Sequence, residues 1–284
     1  MHDADMGHPS STEHSTIQAL PFFGGVEMLR ARYVTQRFSR HFHEGYAVGY
    51  IEQGAMRFRY MGESMVASKG QINLVIPGES HDGHTAEENG WTYRMFYLPP
   101  EAILEAARAV SPKASLPHFR MGVIEDRQLA DCICQTHTLL EQDNIASIEK
   151  ETRLLWLLAH WISRHADQRP HWHNPGNEHK AVNRARDFIQ SEYGHDTSLT
   201  ELAQQVGLSP FHLVRVFQKQ MGVTPHDYLT QVRAERVRER LMGKDRLADI
   251  AADCGFSDQA HMSRSFKRHT GVTPGRYRKI LQNS

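Results

Sequence analysis

The chain has 284 residues, which is long for one ordinary domain and sufficient for two. Hydrophobic residues make up 39% and charged residues 23%, which excludes a disordered or fibrous chain and allows a sizeable core. The net charge is zero, but residues 179–284 carry 17 Lys and Arg against 11 Asp and Glu, a balance of +6 that leaves −6 for residues 1–178. The basic part can neutralise DNA phosphates, although an uneven solvated surface would give the same asymmetry.

No run approaches the ~18 apolar residues that a membrane span needs. The first thirty residues are polar and rich in His, without the basic start and apolar stretch of a signal peptide. We therefore expect a cytoplasmic protein with no membrane partner. Cys132, Cys134 and Cys254 fit no zinc pattern, and we expect reduced thiols.

Residues 1–16 are expected to lack regular structure. Between residues 33 and 98, short segments mix β-branched and aromatic residues and are separated by Gly and Pro turn residues. Many short strands so close together predict a β-sandwich or barrel, which we place at 17–105.

After Pro99–Pro100 the hydrophobic pattern becomes helical, which predicts a helical dimerisation region over 106–165. Its last helix has an apolar stripe formed by Leu154, Leu155, Leu158, Trp161 and Ile162. This stripe packs either on the β domain or on the same helix of a second subunit. Residues 166–178 are polar and contain Pro and Gly, so we predict a linker in which His171 and His173 are solvated.

The strongest pattern is an internal repeat, in which LAQQVGLS at 202–209 matches IAADCGFS at 250–257. The match continues with a one-residue shift, and the later pairs are 49 residues apart: Leu213/Met262, Arg215/Arg264, Phe217/Phe266, Gly222/Gly271, Val223/Val272, Thr224/Thr273, Pro225/Pro274 and Tyr228/Tyr277. One supersecondary unit has therefore been used twice.

Each copy has the signals of two short helices joined by a tight turn. In the first, Ser198 and Glu201 form a capping box, Gly207 ends the first helix, and Ser209–Pro210 starts the second. In the second copy, Gly255 is at the turn and Asp245 is the expected cap. Each copy is thus predicted to be a helix-turn-helix.

A long arginine-rich helix from Thr224–Pro225 to about Leu241 separates the two copies. Its ~17 residues span about 25 Å, which is close to the separation needed to place two recognition helices in successive major grooves, roughly 34 Å apart.

Residues 179–284 resemble the DNA-binding domain of the AraC/XylS family of transcription regulators, and GFSDQAHMSRSFKRHTGVTPGRYR is the most specific part of the match. The resemblance implies an all-α domain of two helix-turn-helix units joined by a long helix. It also implies that the protein is not an enzyme. Members of the family are most often activators, so the expected partners are double-stranded DNA and RNA polymerase. By position it places seven residues at the DNA: Phe211, Val214, Arg215, Gln259, Ala260, Ser263 and Arg264.

Most of these seven positions are expected on the helix face opposite the inward residues. Arg side chains can bind guanine, Gln can bind adenine, and apolar side chains suit the thymine methyl group. We assign four further residues to phosphates: His212, Lys219, Lys267 and Arg268. For each of the seven, the alternative is an ordinary exposed helix residue or a phosphate contact.

Residues 41–84 resemble the cupin-like effector domain that precedes such DNA-binding domains, through His41, His43, Glu44 and His81. The overall fold class expected is therefore α+β with two domains. The positions four and five after His43, where metal-binding cupins have Glu, are Ala47 and Val48. Three interpretations stay open: a divalent metal at His41, His43 and His81, a small polar effector, or structural hydrogen bonds. We commit to no metal or cofactor.

Tyr93 and Met95, on a later predicted strand, are further candidates for lining the barrel. The leading hypothesis is a homodimeric, effector-controlled regulator that binds specific DNA sequences. One alternative is a cupin enzyme with a DNA-targeting tail, for which the three histidines are the only support. The other is a DNA-bending architectural protein without an effector.

Overall fold

A computed structural model describes residues 13–111, 113–167 and 178–282. The strands are β1 His14–Leu20, β2 Val26–Tyr33, β3 Arg37–His41, β4 Tyr46–Tyr60, β5 Glu63–Ser68, β6 Ile72–Val75, β7 His81–Thr85, β8 Trp91–Leu98 and β9 Val123–Ile124. The helices are α1 Pro100–Val110, α2 Arg127–Leu140, α3 Ser147–His165, α4 His179–Glu192, α5 Leu199–Val206, α6 Pro210–Met221, α7 Pro225–Arg240, α8 Leu247–Asp253, α9 Gln259–Thr270 and α10 Pro274–Gln282.

The chain divides into two compact units. The described part of the first comprises residues 13–111, 113–141 and 157–167, and that of the second comprises 142–156 and 178–282. The α+β class predicted from the sequence is confirmed, with a sheet-rich unit first and a helical unit last.

The first unit is built from two antiparallel sheets that share the long strand β4. One sheet has the strand order β1-β2-β8-β4-β6-β9, and in the other β4 pairs with β5 and β7 while β7 pairs with β3. A register shift between Ile51 and Gln53 in the β4–β8 pairing marks where β4 passes from one sheet to the other. The two inner faces enclose the cavity described below.

Strand β8 is buried on both faces because a helix covers the side that does not face the cavity. On that outer side, Arg94 is 5% exposed and donates to Glu52 at 2.7 Å and to Glu141, directly after α2, at 2.8 Å. The Phe96 ring lies 5.0 Å from the His137 ring of α2. Paired charges and apolar packing thus hold α2 on the sheet.

The sequence missed the first two strands. Strand β1 begins at His14, inside the segment expected to lack structure, and it pairs with β2 along its whole length. It is an edge strand whose residues are mostly exposed, so its sequence HSTIQAL lacks the alternation that a buried face would impose. The predicted boundary at residue 17 therefore falls within a strand.

The helical region predicted over 106–165 is not one body, since residues 147–156 of α3 belong to the second unit. The apolar stripe of α3 is buried to 1% exposure or less within a single chain. In the first unit, for instance, Trp161 stacks on Phe119 with ring centroids 4.4 Å apart. The stripe is thus unavailable to a second subunit. The predicted linker with His171 and His173 lies outside the described residues, except for its ends.

The second unit contains the predicted repeat, with α5 and α6 as the first helix-turn-helix and α8 and α9 as the second. Ser198 accepts from the Glu201 amide at 3.0 Å, and Ser209 accepts from the His212 amide at 3.4 Å, as the capping signals predict. Gly207 has a φ of 71°, the left-handed conformation that ends α5.

The expected cap Asp245 is wrong. Helix α8 begins at Leu247, and Arg246 at the N-cap makes no side-chain capping bond. Asp245 lies too early in the chain for this role and instead approaches Arg240 at 3.6 Å. Asp258 does cap α9, accepting from the His261 amide at 2.6 Å. Within the described ranges, no helix is both long enough and apolar enough to span a bilayer.

Candidate DNA-reading helices and ligand cavity

Helix α9, the second recognition helix, presents its predicted DNA-binding residues to solvent. Met262 and Phe266 are fully buried against α7 and α8 and fix the orientation of the helix. The side chains assigned to bases or phosphates are exposed, apart from the partly exposed Ser263: Gln259, Ala260, Arg264, Lys267 and Arg268. The face is therefore available to a DNA duplex as it stands.

Helix α6, the first recognition helix, differs at two of its predicted DNA-binding residues. Arg215 and His212 are partly exposed and Lys219 is exposed, but Phe211 and Val214 are only 2% and 3% exposed. Phe211 and Val214 are therefore not among the predicted base-reading positions that face solvent.

The residues that cover this region come from the start of α3, and we call residues 147–156 the cover segment. The Trp156 ring lies 6.3 Å from the ring of Phe211. The Glu151 carboxylate is 1% exposed and accepts from both the backbone amide and the hydroxyl of Thr200, at 2.9 and 2.6 Å. Because Thr200 lies in the first turn of α5, the carboxylate satisfies an amide that the helix itself leaves unpaired.

Two more contacts hold the cover segment in the second unit. The Ser147 hydroxyl donates to Asp196 at 2.8 Å, and Glu149 lies 3.1 Å from His226 of α7. Burial is the largest single cause and favours the neutral form of Glu149, but the hydrogen bond from His226 and the positive charges of His226, Arg153 and His261 together outweigh it and lower the pKa of Glu149. For Glu151 burial prevails, and its pKa is raised.

Nothing in the sequence pointed to the cover segment as part of the DNA-binding region. Its pattern is that of an ordinary amphipathic helix, and the pairing of Trp156 with Phe211 joins positions 55 residues apart. Glu149 has a local partner in Arg153, one helical turn later and 3.9 Å away, so its charge gave no signal of a contact with another helix.

The cavity of the first unit lies between its two sheets and brings together three predicted residues. One ring nitrogen from each of His41, His43 and His81 lies within 4.8 Å of the other two. The His41 and His81 rings face each other across paired strands, with centroids 4.3 Å apart, and the His43 ring is 4.9 Å from both. Strand pairing therefore assembles the cluster that the sequence could only suggest.

The neighbouring carbonyls define which ring nitrogen carries hydrogen. Nδ1 of His41 lies 2.7 Å from the Ser39 carbonyl, and Nδ1 of His81 lies 3.3 Å from the Glu79 carbonyl. A carbonyl can only accept, so both Nδ1 atoms donate, which makes Nε2 of each ring the nitrogen that can accept a hydrogen bond or bind an ion.

Burial is the largest cause of the pKa shifts in this cluster. It lowers the pKa of His43 to about 4, with His81 and His41 adding to the effect, and it also lowers the pKa of His81. The two rings are therefore neutral at pH 7.

The enclosed cavity has a volume of about 60 Å³ and is also lined by Tyr93 and Met95, as expected. Asn73, which is 3% exposed, lines it too, and its side-chain oxygen has no hydrogen-bond partner among the described residues. Glu44, which the sequence grouped with the histidines, does not line this cavity. It lies in an open groove of about 810 Å³ that shares His43 and Tyr97 with the cavity. Glu44 lies in a bend directly after His43, and of the two residues only His43 lines both the cavity and the groove.

These two units define a DNA-binding regulator that carries a ligand-binding domain. The AraC-like ligand binding domain matches residues 23–158, and a helix-turn-helix domain matches residues 202–280. The chain belongs to the AraC-type transcription regulators, a family of DNA-binding proteins and not of enzymes.

The chain is similar along most of its length to two bacterial regulators. It is 29% identical over 252 residues to an uncharacterized HTH-type transcriptional regulator, YbfI, of Bacillus subtilis, covering 88% of this chain and 90% of that protein. It is 24% identical over 232 residues to the lactose operon transcription activator of Staphylococcus xylosus, covering 80% and 81%. It also matches the C-terminal domain of AraT from Geobacillus stearothermophilus, at 31% identity, 35% and 84% coverage and a TM-score of 0.34.

Proposed function

We propose that this regulator reads its operator through the exposed face of α9 and through α6, each in a major groove. The observation that carries this proposal is the solvent-exposed row of polar and basic side chains on α9, held outward by the buried Met262 and Phe266. A helix presented in this way is the part of a helix-turn-helix that enters the groove.

Individual contacts follow from side-chain chemistry. Arg264 and Arg215 suit guanine, Gln259 suits adenine, and Ala260 suits a thymine methyl group, while Ser263 can bind either a base or a phosphate. The basic side chains further along each helix, together with His212, suit phosphates: Lys219, Lys267 and Arg268.

The first recognition helix contributes all of its residues only after the cover segment leaves it. Phe211 and Val214 suit thymine methyl groups, yet both are buried, and Trp156 packs on Phe211. The Glu151 carboxylate occupies the first turn of α5, where backbone amides of DNA-binding helices commonly meet phosphate. Binding of both helices therefore requires the cover segment to exchange these contacts for DNA.

The first unit regulates DNA binding through an effector. Its cavity and the adjoining groove share His43 and Tyr97, so an effector in the groove reaches the histidine cluster, with Glu44, Tyr93 and Met95 as further contacts. Activation in concert with RNA polymerase is supported by similarity to a relative named as an activator. The regulator acts in the cytoplasm as a homodimer, and its interface uses a surface other than the buried stripe of α3.

Two substitutions on α9 test the base-reading assignment. DNA fragments that the protein recovers from the genome of its source provide the operator. Arg264→Ala should cost about 1–3 kcal/mol on that operator and relax the preference at one base pair. Lys267→Ala, the matched control, should weaken binding to all duplexes and reduce the salt dependence by about one counterion. Equal weakening by Arg264→Ala on operator and random duplex would show that Arg264 does not read a base.

A further inference from the structure

We propose that His41, His43 and His81 bind one divalent transition-metal ion at the wall of the barrel cavity. Imidazole is the preferred protein ligand of zinc, nickel, copper and iron, and three histidines are a sufficient ligand set for a stably held ion. The three rings come from a strand end, a loop and a second strand, and they converge on one point.

The distances are those of a site that needs only small side-chain rotations to close. The three ring nitrogens lie within 4.8 Å of one another. Zinc–nitrogen bonds of about 2.1 Å place two tetrahedral ligands roughly 3.4 Å apart. The difference of at most about 1.4 Å is within the range of χ adjustments of partly exposed rings such as His41 and His43.

The hydrogen bonds around the rings are those of metal ligands. Metal-binding histidines usually donate their second ring N–H to a carbonyl or carboxylate, which fixes the ring and leaves the other nitrogen free for the ion. His41 and His81 each do this, with the carbonyls of Ser39 and Glu79. A single structural histidine can donate to a carbonyl for stability alone. Two neighbouring rings that both donate from Nδ1, with a third ring beside them, are the arrangement expected of a metal site.

The size of the cavity favours an ion over an organic molecule in the enclosed space. At about 60 Å³ it holds an ion with one or two waters, whereas pockets for drug-sized ligands are roughly 300–1,000 Å³. The unpartnered oxygen of Asn73 lines the same space and can accept a hydrogen bond from a metal-bound water.

The ion provides a binding point for the effector, a role that rests on the function proposed above. Three protein ligands leave at least one coordination position open, and His43 lines both the cavity and the larger groove. An effector with a carboxylate or hydroxyl oxygen in the groove can take that position. The ion itself is bound by the first unit whether or not DNA is present.

Cobalt(II) provides the direct test on the full chain, after treatment with EDTA and removal of the chelator. One equivalent should bind with the visible d–d absorption of a low-coordinate nitrogen site, and zinc chloride should displace it. His43→Ala and His81→Asn should each lower the affinity at least tenfold. His84→Asn is the matched control, because His84 lies on the same strand as His81 but outside the cluster.

Failure of the wild-type protein to bind an equivalent of cobalt at micromolar concentration would overturn the proposal. Binding that persists unchanged in both cluster variants would also overturn it, since other histidines of the chain would then hold the ion. Circular dichroism checks that each variant is folded. Operator binding measured in EDTA reports on DNA recognition separately, so failure of one proposal does not imply failure of the other.

Discussion

Gly207 and Gly255 occupy equivalent turns of the two helix-turn-helix units, but they differ in their surroundings. Both adopt a left-handed backbone, with φ values of 71° and 74°. A Cβ atom at Gly207 would meet nothing within 4 Å. At Gly255 it would lie 2.8 Å from the Tyr193 carbonyl oxygen and 2.9 Å from both the Gly194 carbonyl oxygen and an Arg233 nitrogen. Two of these three neighbours are backbone atoms, which cannot rotate away.

The two alanine substitutions should therefore have different costs. Gly207→Ala carries only the left-handed penalty of about 1–2 kcal/mol, partly offset by the lower entropy of the unfolded chain. Gly255→Ala carries the same penalty and an overpacking cost of about 1–3 kcal/mol. It also disturbs Arg233, a buried side chain that donates to the Tyr193 and His195 carbonyls at 2.7 and 2.8 Å.

Native-state hydrogen exchange in increasing denaturant measures both costs on the full chain. Peptides from α9 report the opening free energy around Gly255, and peptides from α6 report it around Gly207. We expect Gly255→Ala to lower the opening free energy by about 1–3 kcal/mol more than Gly207→Ala does, because only the new methyl group at position 255 must displace its neighbours. Equal losses would show that backbone conformation alone determines the cost and that the close packing at Gly255 has no consequence.

Two further predictions concern the cover segment and acid stability. Trp156→Ala should tighten operator binding by roughly five- to a hundredfold in a filter or anisotropy assay. Arg153→Ala is the control within the cover segment, because it removes only a long surface ion pair with Glu149 at 3.9 Å and should change the affinity little. If Trp156→Ala leaves the affinity unchanged, the cover segment does not oppose DNA binding. Burial favours neutral Asp126, but bonds from a backbone amide, His165 and Arg164 outweigh it and lower its pKa to about 2. The ionised Asp126 carboxylate should therefore contribute about 2 kcal/mol to the free energy of unfolding above pH 4, and this contribution should disappear between pH 4 and 2. In urea unfolding, Asp126→Asn should show a smaller decrease of the free energy of unfolding over that pH range.

The elements that the sequence predicted well are those specified by neighbouring residues. Ser198 and Ser209 cap helices through bonds to amides three residues away, and the glycines that end α5 and α6 act within one turn. The repeat itself doubled the evidence for each of these positions. Such signals survive in a single sequence because no distant contact is needed to produce them.

The features that escaped prediction depend on distant contacts. Phe211 has the spacing of an outward residue on α6, yet it is 2% exposed, and the ring of Trp156, 55 residues earlier in the chain, lies 6.3 Å from its ring. Arg233 resembled any exposed basic residue of α7, yet it is 4% exposed and binds two carbonyls. The three histidines were grouped from the sequence only through the resemblance to cupin-like domains, because strand pairing, which no local signal specifies, brings His81 to His41.

The contrast between the two recognition helices has a consequence for how the proposed binding proceeds. With α9 exposed and the apolar reading residues of α6 covered, a first encounter with DNA engages one major groove, mainly through α9 and its basic residues. A single groove offers fewer base contacts, so this encounter is weakly selective and salt-dependent. Full selectivity requires Phe211 and Val214 as well. The free energy needed to displace Trp156 and Glu151 from α6 and α5 is therefore subtracted from the binding free energy that α6 gains in the second major groove. Any ligand that loosens the cover segment would therefore increase operator preference more than it increases binding to random DNA.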